Sequence, residues 1–162
     1  MAIGAGGVDL GTLQNVGAAP HRLAGSVTFV AGTTGAIGQH TIFPVTGLVE
    51  FIMRWDCTSD LTSGGAASIS IGSADEVARV CTATTATDID AGSWGNLAQA
   101  AWMTAAEMGA SEWAATLASS GNDITSDILV AAISGGTVRY YLDWKPISPG
   151  ATVTLGAELT AI

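Results

Sequence analysis

The residues that could do chemistry are few, and their spacing does not bring them together. His21 and His40 each stand alone, without a Cys, Asp or Glu at a metal-ligand spacing and away from any nucleophile signature. Cys57 and Cys81 are far apart and match no ligand spacing. Each follows an apolar run, so the pair reads as buried thiols rather than a disulfide. Asp88-Ile89-Asp90 opens like a calcium loop, but the later ligands, including the closing Glu, do not follow. Ordinary Asx turns account for these two aspartates. No nucleophile elbow, phosphate loop or zinc motif occurs. The Gly-rich start neither follows a strand nor opens a helix, as a dinucleotide fingerprint would. The acidic residues are scattered over turns, which favours no glycosidase pair. These patterns name no catalytic residue, no metal ligand and no cofactor, and they point to a protein that is not an enzyme.

What remains is chemistry of contact. Trp55 and Trp144 sit at strand positions and read as core. Trp94, Trp102 and Trp113 fall in an irregular central segment, where they form a sugar-stacking platform, an interface hot spot, or plugs for the open ends of the fold. Glu50 and Arg54 lie two pleats apart on one strand face and suit a solvated or intersubunit ion pair better than a catalytic acid and its clamp.

Composition narrows the partners. Five Lys and Arg against 14 Asp and Glu give a net charge of -9. Phosphate binding needs clustered cations, so nucleic acid is an unsuitable partner. No run of about 18 apolar residues offers a membrane span. Residues 1–13 lack the basic region and apolar core of a signal peptide. With 21 glycines, 48% hydrophobic and 12% charged residues, the 162-residue chain fits one domain of short strands and tight turns.

The elements that must position these residues are strands. The strongest local signal spans residues 128–144: two β-forming runs flank Gly135-Gly136, which reads as the two-residue loop of a hairpin. In that register Leu129, Ala131, Ile133, Val138, Tyr140, Leu142 and Trp144 share a buried face. Val130, Ala132, Arg139, Tyr141 and Asp143 share the other, which is too apolar for plain solvent and suits a subunit contact. Further strands are expected at 26–30, 39–43, 48–55, 67–72, 77–82 and 151–155, with a turn over 60–65. In the third of these, Val49, Phe51, Met53 and Trp55 face one side. Residues 97–108 read as a short helix, with Asn96 as N-cap and Gly109 as terminator, and 111–117 as either a helical turn or a strand. Residues 1–24 are small and Gly-rich. They read as a frayed terminus or as an arm that orders on a neighbouring subunit through Ile3, Val8, Leu10, Leu13, Val16 and Leu23. The expected fold is all-β: one antiparallel β-sandwich of jelly-roll type over 25–162, with a short helical insertion and an extended N-terminal arm over 1–24.

Two stretches carry a resemblance. Val49-Glu50-Phe51-Ile52-Met53-Arg54-Trp55-Asp56, followed by Ala67-Ser68-Ile69-Ser70-Ile71-Gly72, resembles a pattern common in tailed-bacteriophage virion proteins. So does Asp127-Ile128-Leu129-Val130 followed by residues 137–148, which close on Trp144-Lys145-Pro146-Ile147-Ser148. The resemblance implies a virion structural protein: a jelly-roll decoration or cement protein on the capsid surface. Its partners would be the major capsid protein and other copies of itself, as a homotrimer, assembled in the bacterial host cytoplasm. The alternatives are a glycan- or host-receptor-binding virion module and a small jelly-roll capsid subunit.

Overall fold

The structure, a computed structural model, describes residues 20–98, 101–104 and 116–162. Side-chain alternation builds its larger sheet. In β4 (Val49–Ser63), Val49, Phe51, Met53, Trp55, Cys57 and Leu61 are buried while the residues between them reach the other side. In β10 (Ile133–Pro146), Ile133, Val138, Tyr140, Leu142 and Trp144 are likewise buried. The two strands pair antiparallel, setting Tyr140 opposite Trp55 and Leu142 opposite Met53. Each such large side chain contributes about 1.5–3 kcal/mol on leaving water. β1 (His21–Thr28) pairs with the free edge of β10, and β12 (Thr160–Ala161) with β1. β7 (Trp94–Asn96) and β8 (Thr116–Ala118) share the far edge of β4.

The opposing sheet has the order β2 (Gly38–Phe43), β9 (Ile124–Leu129), β5 (Ser68–Ser73), β6 (Cys81–Thr85). A short pair, β3 (Val45–Thr46) with β11 (Thr152–Val153), lies beside them. Ile42, Phe43, Ile69, Ile71, Ile124 and Ile128 from this sheet join the β4 and β10 side chains in one core. The chain is therefore an all-β antiparallel sandwich, as the alternation implies.

The expected hairpin is not formed. Gly135 and Gly136 lie inside β10, and residues 124–129 belong to the opposite sheet. The glycines serve a bulge: the β10–β4 register shifts on both sides of Gly135 and again before Val138. Gly136 has φ +103, and a Cβ there would meet the Asp60 carbonyl oxygen at 2.5 Å. The crossing between sheets falls instead at residues 130–132, so Leu129 is 39% exposed rather than buried, and Val130 and Ala132 lie off the face of Arg139.

Other boundaries differ for related reasons. The turn expected at 60–65 starts late, because Leu61 turns inward and keeps β4 running to Ser63. Residues 77–80 form a loop before β6; the residue 77 carbonyl accepts the Ser70 hydroxyl at 2.8 Å. The expected helix over 97–108 is contradicted where it is described. Met103 exchanges backbone hydrogen bonds with Trp94 at 2.7 and 2.8 Å, so the open edge of β7 captures this segment in extended form. The rest of that segment lies outside the described residues. The first strand, expected over 26–30, starts at His21.

Candidate functional site

Register alone assembles a polar face on the outer side of the larger sheet. Across β1, β10, β4 and β7 it forms rungs: Arg22, Asp143, Ile52; then Ala24, Tyr141, Arg54, Asn96; then Ser26, Arg139, Asp56, Trp94. Lys145 and Glu50 follow at the end. Four of the chain's five basic residues thus stand on one face, and only Arg79 stands elsewhere.

These groups are linked. The Arg22 guanidinium donates to Asp143 through Nε at 2.7 Å and Nη2 at 3.3 Å. Arg54 Nη2 reaches the same carboxylate at 3.6 Å. Arg139 Nε sits 3.1 Å from both Asp56 oxygens, with Nη2 closing a fork on Oδ2. Lys145 pairs with Glu50. Tyr141 lies between two cations, its ring centroid 5.7 Å from the Arg54 Cζ and 5.9 Å from that of Arg139. Hydrogen bonding to Asp56 raises the Arg139 pKa, and hydrogen bonding to Asp143 raises that of Arg22. Burial, then the Asp56 charge, raises the Tyr141 phenol. A cleft of about 560 Å³ opens on this face, lined by Arg22, Arg54, Tyr141 and Trp94 among others.

Arg139, Tyr141 and Asp143, expected together on a contact face, are therefore brought together. Their partners Arg22, Arg54 and Asp56 carry as much of the site and were not assigned to it. The signal that finds them is charge order: Glu50, Arg54 and Asp56 match Lys145, Tyr141 and Arg139 in antiparallel sense. Glu50 and Arg54, expected to pair, instead turn to Lys145 and Asp143 respectively.

A second surface lies at one end of the sandwich. The loop of residues 30–37 packs on the crossing at 130–132: the Ile133 amide donates to the Gly35 carbonyl at 2.9 Å. The loop at 64–66 adjoins them, with the Ser63 hydroxyl donating to the Ala132 carbonyl at 2.8 Å. Residues 27–39, 61–74 and 128–138 contain no charged side chain. At this uncharged tip Val30 is 53% exposed, Ile37 59% and Val130 73%. Val130 is also the positive-φ non-glycine residue of the described structure, at φ 72.

The remaining candidates disperse. Trp94 and Trp102 are half-buried; Trp102 packs edge-on against Trp55 with centroids 6.2 Å apart, whereas Trp94 lines the cleft on the outer face. Leu23 of β1 pairs with Leu142 of β10 and packs against the core. Ile3, Val8, Leu10, Leu13, Val16 and Trp113 lie outside the described residues. His21 stacks on Trp144, and His40 faces Glu158 and the Ala36 carbonyl, each at 2.8 Å. Between Asp88 and Asp90, Ile89 is fully buried. Among the described residues no group of three His, Cys, Asp or Glu could hold a metal. Cys57 and Cys81 are buried free thiols; burial raises both, that of Cys81 to about 12.

No protein-family model matches the chain, and no curated protein does. Among solved structures, a chain of the cyanophage Pam1 capsid asymmetric unit aligns at a TM-score of 0.44 and 17% identity, over 90% of this chain and 94% of that one. A chain of the acidic stable capsid structure of Helicobacter pylori bacteriophage KHP30 aligns at a TM-score of 0.50 and 9% identity, over 85% of this chain and 94% of that one. This second likeness shows that the sandwich is a fold also present in a bacteriophage capsid structure.

Proposed function

We propose that the chain is a non-enzymatic phage virion protein that decorates the outer capsid surface and stabilises it, as a cement protein. Its uncharged tip meets the major capsid protein, and the laddered sheet face meets other copies of the chain in a homotrimer assembled in the host cytoplasm. The tip is the observation that carries this reading. On a chain of net charge -9, most of the surface carries acidic groups that a contact would have to desolvate, whereas the tip offers Val30, Ile37 and Val130 with no charge to desolvate. The fold shared with a capsid chain and the resemblance in residues 49–56, 67–72, 127–130 and 137–148 support the same reading. Binding of this kind stabilises a shell by mass action, because the protein favours the assembled lattice over its separated subunits.

The test is co-sedimentation with capsids stripped of the protein. The wild-type chain is expected to pellet with them, and Ile37→Asp and Val130→Asp to lose at least tenfold in binding while keeping a wild-type circular dichroism spectrum. Undiminished binding by both variants overturns the tip as the contact, and a wild-type chain that stays in the supernatant overturns the capsid role. The glycan-binding reading has less support, since Trp102 packs against Trp55.

A further inference from the structure

The outer face of the smaller sheet holds a carboxylate that is almost out of water. Asp127 of β9 stands between Gln39 of β2 and Ser70 of β5. Its strand neighbours Ser126 and Ile128 turn to the core, so Asp127 and Thr125 point the other way. Residues 74–77 fold back across that side. They are held where the Gln39 amide donates to the Ala74 carbonyl at 3.5 Å and the Ser70 hydroxyl to the Val77 carbonyl at 2.8 Å. The crossing lies on Gly72, where a Cβ would stand 2.5 Å from the Val77 carbonyl carbon. Thr125, opposite Gly72, is 1% exposed, and Asp127 is 7% exposed. The Thr125 hydroxyl is buried without a hydrogen-bond partner. The Asp127 carboxylate has neither a hydrogen bond nor an ion pair among the described residues.

Burying an ionised carboxylate is costly unless a cation or a set of donors meets it. The strands around Asp127 offer acceptors instead: a carboxylate only accepts, and a hydroxyl accepts as readily as it donates. A group that suits this place therefore brings positive charge and more than one N–H donor. A metal ion suits it poorly, because hard cations such as calcium take about six to eight oxygens, and no group of three His, Cys, Asp or Glu stands together among the described residues. A primary ammonium matches, with three donors on one compact charge at the end of a flexible alkyl stem. The stem has apolar support as well. Leu129, two residues along the same strand face, and Val77 of the covering loop are each 39% exposed.

We propose that Asp127 and Thr125 form a binding site for a primary ammonium group, borne by a lysine side chain of a partner protein or by a free alkylamine. The ammonium donates to the Asp127 carboxylate and to the Thr125 hydroxyl, and its methylenes lie on Val77 and Leu129. The site is on the opposite sheet from the charge ladder and does not depend on the capsid reading.

Titration of the full chain with n-butylammonium, followed through the backbone amide shifts of an isotope-labelled sample, tests it. Saturable shifts are expected at Gln39, Ser70, Val77 and Leu129. Tetramethylammonium, of equal charge but without an N–H donor, is expected to leave them unmoved. Asp127→Asn is expected to weaken binding about tenfold, through loss of a charge-assisted hydrogen bond, and Thr125→Val about fivefold. Neither variant removes a side-chain bond that the described fold uses, so both are expected to keep the wild-type circular dichroism spectrum. Absence of saturable shifts overturns the proposal. So do equal shifts with tetramethylammonium, which would reduce the effect to general attraction by Asp75 and Glu76 of the covering loop, and so does undiminished binding by Asp127→Asn. A lysine capped as its acetyl and methylamide derivative distinguishes the sources. Tighter binding than butylammonium upholds the site as a seat for a protein side chain, and equal or weaker binding upholds it as a seat for a free amine.

Discussion

Val130 holds a backbone that L-residues avoid, at φ 72, while leaving its side chain 73% exposed. A β-branched residue in this region costs about 1–3 kcal/mol, and little burial offsets that. Glycine removes the strain and loses about 0.5–1 kcal/mol of chain entropy. Val130→Gly is therefore expected to stabilise the protein by about 1 kcal/mol, a rise of about 2–4 °C in Tm by calorimetry. A fall in Tm would show that the side chain itself holds the loops. Cys81 gives a second prediction at this scale. Burial lifts its thiol from 9.0 to about 12, and Tyr140 moves in the same direction for the same reason. Both are neutral when protonated, so above pH 9 the unfolded chain releases protons that the folded chain retains. Stability is then complete below pH 9 and declines as pH rises toward 12, with Cys81 contributing up to about 4 kcal/mol. Denaturant midpoints measured from pH 7 to pH 11 should stay level and then drop, and Cys81→Ala should flatten the drop.

At the scale of the element, the Gly135-Gly136 pair shows where a sequence is legible and where it is not. The buried alternation Ile133, Val138, Tyr140, Leu142, Trp144 follows from the residues alone, because each strand carries its own period. Whether two glycines make a turn or a bulge depends on what lies across from them. That partner, Asp60 to Ser63 of β4, is some 75 residues away in sequence. The two glycines should consequently differ in tolerance. A Cβ at Gly136 meets main-chain atoms at 2.5 and 2.8 Å with φ +103, whereas one at Gly135 meets only the Thr62 Oγ1 at 2.8 Å, an atom that can rotate away. Gly136→Ala is expected to cost about 2–4 kcal/mol and Gly135→Ala less than about 1, read from urea midpoints at constant m. Equal costs would argue that the pair is a free turn after all. The site divides in the same way. Arg139, Tyr141 and Asp143 were legible as one face of one strand, but Arg22 joins them only through the β1–β10 register, which no local pattern encodes.

The whole molecule distributes its charge unevenly. Of the eleven acidic residues described, Glu50, Asp56 and Asp143 stand on the rungs among four cations, a local balance of about +1, while eight acids and Arg79 occupy the remainder. Two surfaces of different physics follow: an uncharged tip and a face rich in ion pairs. Ionic strength should separate them. At 0.1 M salt the screening length is about 10 Å, so general repulsion between acidic copies is already weak, and a further rise to 1 M, where it is about 3 Å, acts mainly on close pairs. Contacts between copies that use Arg22 and Arg54 should weaken several-fold over that range, measured by sedimentation velocity. Capsid binding through Val30, Ile37 and Val130 should change by less than about twofold, because burial of apolar surface carries no Coulombic term, and ammonium sulfate should strengthen it. Capsid binding lost in 1 M sodium chloride would assign the capsid contact to the charged face instead of the tip.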